Sequence, residues 1–321
     1  MTRVWLGVYH GCATVKAGDL ECWGANDVGQ LGDGTKEQSL LPVRVTAHPG
    51  MPDELAIGGR HTCGLYAGQV RCWGDDSRHQ VSGAPTGRGF SAISAFDHRT
   101  CVIGVAGALQ CWGDGDNALG ASEGRSRSAS MVSLGPGRVC AAFTAPAREV
   151  RCSGTDDRGE SAGQKPVLAG ASIKGLAAGG RHTCALLEDG SVQCWGANDR
   201  GQLGDGSTTG SAAPVLVHAL PPAIEIRASD ATTCARLGNN TVACWGDNRS
   251  HQLANGTAEP STRPQPLQGL VGVFELALAG RSACARLAEG GARCWGANEA
   301  GQLGDGTTAE HDVPMPVRSP R

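Results

Sequence analysis

Cysteines are the residues in this chain whose type and spacing speak most directly of chemistry. There are fourteen in 321 residues, and they sort into seven pairs: Cys12 with Cys22, Cys63 with Cys72, Cys101 with Cys111, Cys140 with Cys152, Cys184 with Cys194, Cys234 with Cys244, and Cys284 with Cys294. Five pairs are ten residues apart, one is nine apart and one twelve. No Cys-x-x-Cys motif or Cys/His cluster occurs, so the spacing does not describe a zinc site. Either these are small core residues kept reduced, or they are disulfides. All seven pairs sharing one near-constant separation points to disulfides, and so to an oxidising compartment.

The other residue types that do chemistry are scattered. His10, His61 and His182 each stand two residues before the first cysteine of a pair, where a structural hydrogen bond is expected of them rather than base catalysis. GQLGDGT-like segments beginning at Gly29, Gly201 and Gly301 lack the Lys of a P-loop and the spacing of a calcium loop, and read as repeated tight turns. Without a unique acid, base and nucleophile, no catalytic constellation is expected, and no cofactor or metal.

The elements that position the cysteines are clearest in Gly179 to Thr208, GGRHTCALLEDGSVQCWGANDRGQLGDGST. Two apolar runs, Thr183 to Leu187 and Ser191 to Trp195, flank Glu188, Asp189 and Gly190, which signals a hairpin. A type I turn with Gly190 at positive φ pairs Leu187 with Ser191, Leu186 with Val192 and Cys184 with Cys194. Opposed strand residues lie about 4.5 to 5.5 Å apart, within disulfide reach. Gly18, Gly107, Asn240 and Gly290 hold the same turn position in other copies. A two-residue loop at Ala67 and Gly68 and a five-residue loop centred on Pro146 keep the remaining two pairs facing each other.

First cysteines recur at intervals of 51, 38, 39, 44, 50 and 50 residues, and the 37 residues after Cys284 plus the first 12 make one further period. That count favours a closed ring over an open array. The fold expected over 1–321 is an all-β, seven-bladed β-propeller closed by pairing of the N- and C-terminal strands. In it, Val313 to Arg318 would supply a strand to the blade begun by Val4 to Tyr9. The Trp in the six CWG segments is expected in the core between blades, with Ser153 taking its place in the fourth copy. Trp5 is expected either to cover the closure seam or to be an exposed contact residue.

A net charge of −3, with basic residues that are nearly all Arg, argues against a nucleic-acid surface. No eighteen-residue apolar run occurs, so no membrane span is expected. Met1 to Cys12 lacks the apolar core of a signal peptide, although the cysteines imply export.

GGRHTCALLEDGSVQCWG followed by GQLGDG resembles the repeat of the regulator of chromosome condensation family of seven-bladed propellers, along essentially the whole chain. Three kinds of member bracket what the resemblance implies: a chromatin-bound exchange factor for a small GTPase, a plant UV-B photoreceptor that senses light through Trp in GWRHT motifs, and a secreted bacterial propeller that inhibits β-lactamase through its loops. Gly59, Gly180 and Gly280 replace the photoreceptor's Trp, whereas Arg60, Arg181 and Arg281 match the arginines of its dimer face. Export fits the bacterial type. The expectation is a non-enzymatic, extracytoplasmic, disulfide-stapled scaffold that binds an unknown protein partner through one loop face. The expected contacts are Arg60, Arg181 and Arg281, together with Arg78, Phe90 and Arg125 in the divergent sector. The alternatives are a guanine nucleotide exchange factor-like regulator of a small GTPase, or a lyase or hydrolase using the central pocket.

Overall fold

A computed structural model of the chain describes residues 1–15, 18–114, 127–154 and 167–318. Short apolar runs bounded by Gly, Asn and Asp form antiparallel sheets, each with its strands in chain order. The first blade comprises Arg3–Leu6, His10–Thr14, Leu20–Gly24 and Ser39–Arg44. Among the described residues the next three blades have three strands each: Glu54–Ile57, His61–Tyr66 and Gln69–Gly74; then Ala92–Phe96, Arg99–Ile103 and Leu109–Gly113; then Ser128–Gly135, Arg138–Ala145 and Glu149–Gly154. Four strands return in blade five (Ile173–Ala178, His182–Leu187, Val192–Gly196, Ser211–Leu216) and blade six (Ala223–Ser229, Thr232–Leu237, Val242–Gly246, Ser261–Pro266). Blade seven is Val273–Ala279, Ser282–Leu287, Ala292–Gly296 and His311–Pro316. The first strand of each blade contacts the first strands of its two neighbours, in cyclic order, and lines a central channel. Among the described residues no helix is long and apolar enough to cross a membrane.

The hairpins form as their turns dictate. Leu186 pairs with Val192 and Cys184 with Cys194, while the Leu187 amide donates to Ser191 O and the Gly190 amide to Leu187 O. Gly190 has φ +84°, a conformation that costs a side-chain-bearing residue but not Gly. Tyr66 pairs with Gln69 across Ala67 and Gly68, and Phe143 with Glu149 across the loop centred on Pro146. All seven cysteine pairs face each other as disulfides, with Cα separations of 4.0–4.1 Å, and no free cysteine remains. The outermost strands carry Pro42, Pro214, Pro264 and Pro314, a residue tolerated where one side of the strand has no neighbour.

Ring closure differs from the terminal strand pairing expected of the sequence. His311–Pro316 is the outer strand of blade seven, with Met315 opposite Cys294, and Arg3–Leu6 is the inner strand of blade one, with Trp5 opposite Cys12. Each terminus completes its own sheet, so the ring closes by packing blade against blade. Buried side chains of the described residues gather into seven clusters, one per seam. The closing seam sets Val4, Leu6, Ala13 and Trp23 against Ala277, Ala279, Leu303 and Val317, and looks like the others.

The CWG tryptophans are buried at these seams. Trp23, Trp73, Trp112, Trp245 and Trp295 each donate an Nε1 hydrogen bond, 2.8–3.0 Å long, to the main-chain carbonyl of a Gln in the preceding blade: Gln302, Gln30, Gln80, Gln202 and Gln252 in turn. In the fourth blade, where Ser153 stands, Phe143 fills the seam instead. Trp5 is 7 % exposed and donates to Glu54 Oε1 at 3.2 Å, so it is a packed channel residue rather than an exposed contact.

Candidate functional site

The turns after the first and third strands of each blade share one face of the ring, and those after the second and fourth strands share the other. On the first face, the GQLGDG segments are built around a buried Asn. Asn198 Oδ1 accepts from the Leu203 amide, and its Nδ2 donates to Asp205 Oδ1, Ser207 O, Ser207 Oγ and Thr209 O. Asn26 and Asn298 repeat the pattern, and Asn248 does so with Asn255 in place of the Asp. These loops are thus turns closed by internal hydrogen bonds, and the Asn hub is the residue that the sequence reading passed over. Its signal is Asn two residues after four of the six CWG segments, at Asn26, Asn198, Asn248 and Asn298.

Behind this face lie the recurring histidines, which begin second strands and are buried. His10 Nε2 lies 2.8 Å from Thr62 Oγ1 of the next blade, and Thr62 Oγ1 donates back to Gln30 O. His182 makes the same link to Thr233 and Gln202 O, and His61 reaches Thr100 Oγ1 at 2.7 Å. In the Thr62 and Thr233 pairs the threonine's single hydroxyl proton goes to the Gln carbonyl, so His10 and His182 must donate from Nε2. Nδ1 of each ring makes no hydrogen bond, and burial disfavours its protonation more than the nearby main chain of Gly59, Asp97 or Asp230 favours it. Burial, with His61 nearby, lowers the His10 pKa to about 3; burial and Arg138 lower His182 to about 3; burial and His98 lower His61 to about 4. These imidazoles are neutral braces. In blade four Arg138 holds the equivalent position and donates to Thr183 Oγ1 and Gly180 O.

Of the expected contact residues, the structure gathers most on this face. Arg60 pairs with Asp27, Arg281 Nη2 lies 3.5 Å from Glu299 Oε1, and Arg78 Nη1 lies 2.8 Å from Asp114 Oδ2. Arg181 is exposed at the corresponding turn. Gly180 leaves no room for the photoreceptor's Trp, because a Cβ there would sit 2.9 Å from Asp230 O. Phe90 belongs to the other face: its amide donates to Gly68 O, and its ring packs against Gly104. Arg78 and Phe90 therefore do not form one patch, because the chain crosses from face to face between them. Arg125 lies outside the described residues.

The channel mouth on the second face holds charged residues that the sequence reading did not single out. Glu225 accepts from Arg236 Nε at 2.9 Å and the Leu276 amide at 3.3 Å, with Arg227 Nη2 at 3.0 Å. Glu275 lies 3.4 Å from Arg3 Nε and 3.7 Å from Arg286 Nε, and accepts from the Val4 amide. Burial pushes the Glu275 carboxyl up and Arg3 opposes it. Arg3 also reaches Glu54 Oε2 at 3.0 Å. The detectable signal is positional: Arg3, Glu54, Glu225 and Glu275 each stand two residues before the inner-strand residue that faces a first cysteine. Among the described residues no group of three or more His, Cys, Asp or Glu could hold a metal ion.

Known proteins share the repeat and the fold. The family model for the regulator of chromosome condensation (RCC1) repeat matches residues 18–65, 189–236 and 289–321, and a second RCC1-repeat model matches 173–202. The human E3 ubiquitin-protein ligase HERC2 is 28% identical over 218 residues, 67% of this chain but 4% of the ligase. The mitochondrial RCC1 domain-containing protein RUG3 of Arabidopsis thaliana is 28% identical over 222 residues, 67% of this chain and 46% of its own length. The chain thus spans less than half the length of these curated relatives. Prp20p from Saccharomyces cerevisiae superposes with a TM-score of 0.80 at 18% identity, covering 98% of this chain and 88% of Prp20p, which shows a common fold. This chain is a seven-bladed β-propeller carrying regulator of chromosome condensation (RCC1) repeats.

Proposed function

We propose that this chain is a non-enzymatic binding scaffold that works outside the cytoplasm and recognises a partner protein through the face bearing Arg60, Arg181, Arg281 and Arg78. The observation that carries this reading is that every cysteine is disulfide-bonded. Seven cross-links of this kind persist where the surroundings are oxidising. Rigid turns around buried Asn hubs offer contacts already ordered, so little entropy is lost on binding. Arginine held at the rim by an acidic neighbour suits recognition of carboxylate-bearing surfaces. Prp20p, which shares the fold, has binding properties to Gsp1p and histones, in keeping with propellers that act on proteins.

The test has two stages. Intact mass after alkylation without reductant, on protein from its native compartment, should show no blocked thiol. Cross-linking in the same compartment should then yield a partner that Arg60→Glu, Arg181→Glu and Arg281→Glu together release. Fourteen blocked thiols would defeat the extracytoplasmic reading and favour the exchange-factor alternative, in which a small GTPase is the partner.

A further inference from the structure

We propose that the channel mouth between blades one, five, six and seven is a binding site for a small organic anion carrying at least two carboxylate or phosphate groups. The mouth opens into a cavity of about 490 Å³, the size of a small-molecule site rather than a peptide groove. Arg3, Lys174, Arg227, Arg236 and Arg286 line it, against Glu225 and Glu275.

Both carboxylates are already occupied. Each accepts a backbone amide from the neighbouring blade and lies against two guanidinium groups, so neither is left to neutralise further charge. Counting Glu54, which shares Arg3 from outside the cavity, five cations still exceed three carboxylates by two. That surplus on partly dry walls attracts a counter-ion of matching charge, and one with two anionic groups matches it.

Two cations are poised for such a ligand. The Arg286 guanidinium lies over the Phe274 ring, 4.0 Å from its centroid, and the side chain is 11% exposed. Its Nε has no hydrogen-bond partner, and the one hydrogen bond the side chain makes among the described residues is a long one, 3.4 Å from Nη1 to Leu287 O. Stacking on the ring therefore holds the guanidinium in place while much of its donor capacity goes unused, which is costly at such burial unless an acceptor arrives. Lys174, on the opposite wall in blade five, is exposed and makes no hydrogen bond or ion pair with the described residues. Phe274 is 59% exposed at the rim and offers an apolar surface to the carbon skeleton of the ligand.

The purified chain should be titrated calorimetrically with citrate and, separately, with inorganic pyrophosphate, at constant ionic strength. The proposal expects saturable one-to-one binding of at least one of them, none of acetate, and a loss of about tenfold or more in affinity on Lys174→Glu. Lys174 is exposed, so that variant should fold; Lys36→Glu, exposed on the opposite face, should bind as the parent does. Binding of citrate alone or pyrophosphate alone identifies carboxylate or phosphate as the natural group. Equal affinity in Lys174→Glu and the parent, heats that acetate reproduces, or binding only of a poly-glutamate peptide would overturn the site. No partner protein enters the titration, so its outcome is separate from that of the scaffold reading.

Discussion

Trp23 Nε1 donates to the carbonyl oxygen of Gln302 at 2.8 Å, joining residues 279 apart in the chain. It is the same bond that Trp73 makes to Gln30 within a continuous stretch of sequence. The ring therefore closes through the interblade contact it uses elsewhere, with Arg3 adding ion pairs to Glu54 on one side and Glu275 on the other. Removing the indole should open this seam. Trp23→Ala is expected to cost about 3–5 kcal/mol, and Trp23→Phe, which keeps most of the packing but loses the donor and leaves an acceptor unpaired, about 1–3 kcal/mol. Chemical denaturation of the two variants beside the parent measures both.

The disulfides close loops whose ends are nine to twelve residues apart, each worth about 2–3 kcal/mol in the chain-entropy account. Intact mass should lie fourteen hydrogens below the reduced chain, and full reduction should lower the melting temperature sharply. A melting curve unmoved by reductant, with reduction verified by mass, would refute the stabilising role.

Acid should weaken the ring through its histidines. His10, His61 and His182 are neutral in the fold with pKa values of about 3, 4 and 3, below the ordinary value of 6.5. Below about pH 6.5 the unfolded chain takes up protons that the fold refuses. Stability is therefore full above that pH and falls as pH drops towards 4, by about 1.4 kcal/mol per pH unit for each histidine. His182→Gln, which offers Thr233 an amide donor, should flatten the slope by one proton between pH 6 and 4. Denaturation midpoints measured across that range check the sign.

Asn198 satisfies four acceptors and one amide from a fully buried position. Asn198→Asp should be worse than Asn198→Ala, because it places a second carboxylate beside Asp205 and removes the Nδ2 donors, whereas Ala only leaves groups unpaired. A loss of about 2–4 kcal/mol is expected for Ala and more for Asp. Hydrogen exchange at the Leu203 amide should rise in both.

The disulfide pairing and the hairpin registers were legible because they are local. Gly190 sets its turn at positive φ, the turn sets which residues face each other, and Cys184 and Cys194 follow from that. The seven-fold count was legible for a related reason: each repeat is one such local unit, and the six CWG tryptophans announce the seams between them.

Closure, the faces and the channel mouth depended on tertiary structure. Whether His311–Pro316 pairs with blade one or completes blade seven is decided by which edge Ala292–Gly296 leaves open, a relation between sheets that spacing does not encode. Arg78 and Phe90 are twelve residues apart in sequence but lie on opposite faces, because the chain between them crosses the ring. Lys174, Glu225 and Arg286 belong to three blades and meet only where their inner ends converge on the channel. Sequence by itself determined each hairpin and its cross-link, because those contacts span about ten residues and are governed by one turn. The tertiary structure decided which charges meet and which surfaces face outward, because these follow from the angle at which one blade packs on the next.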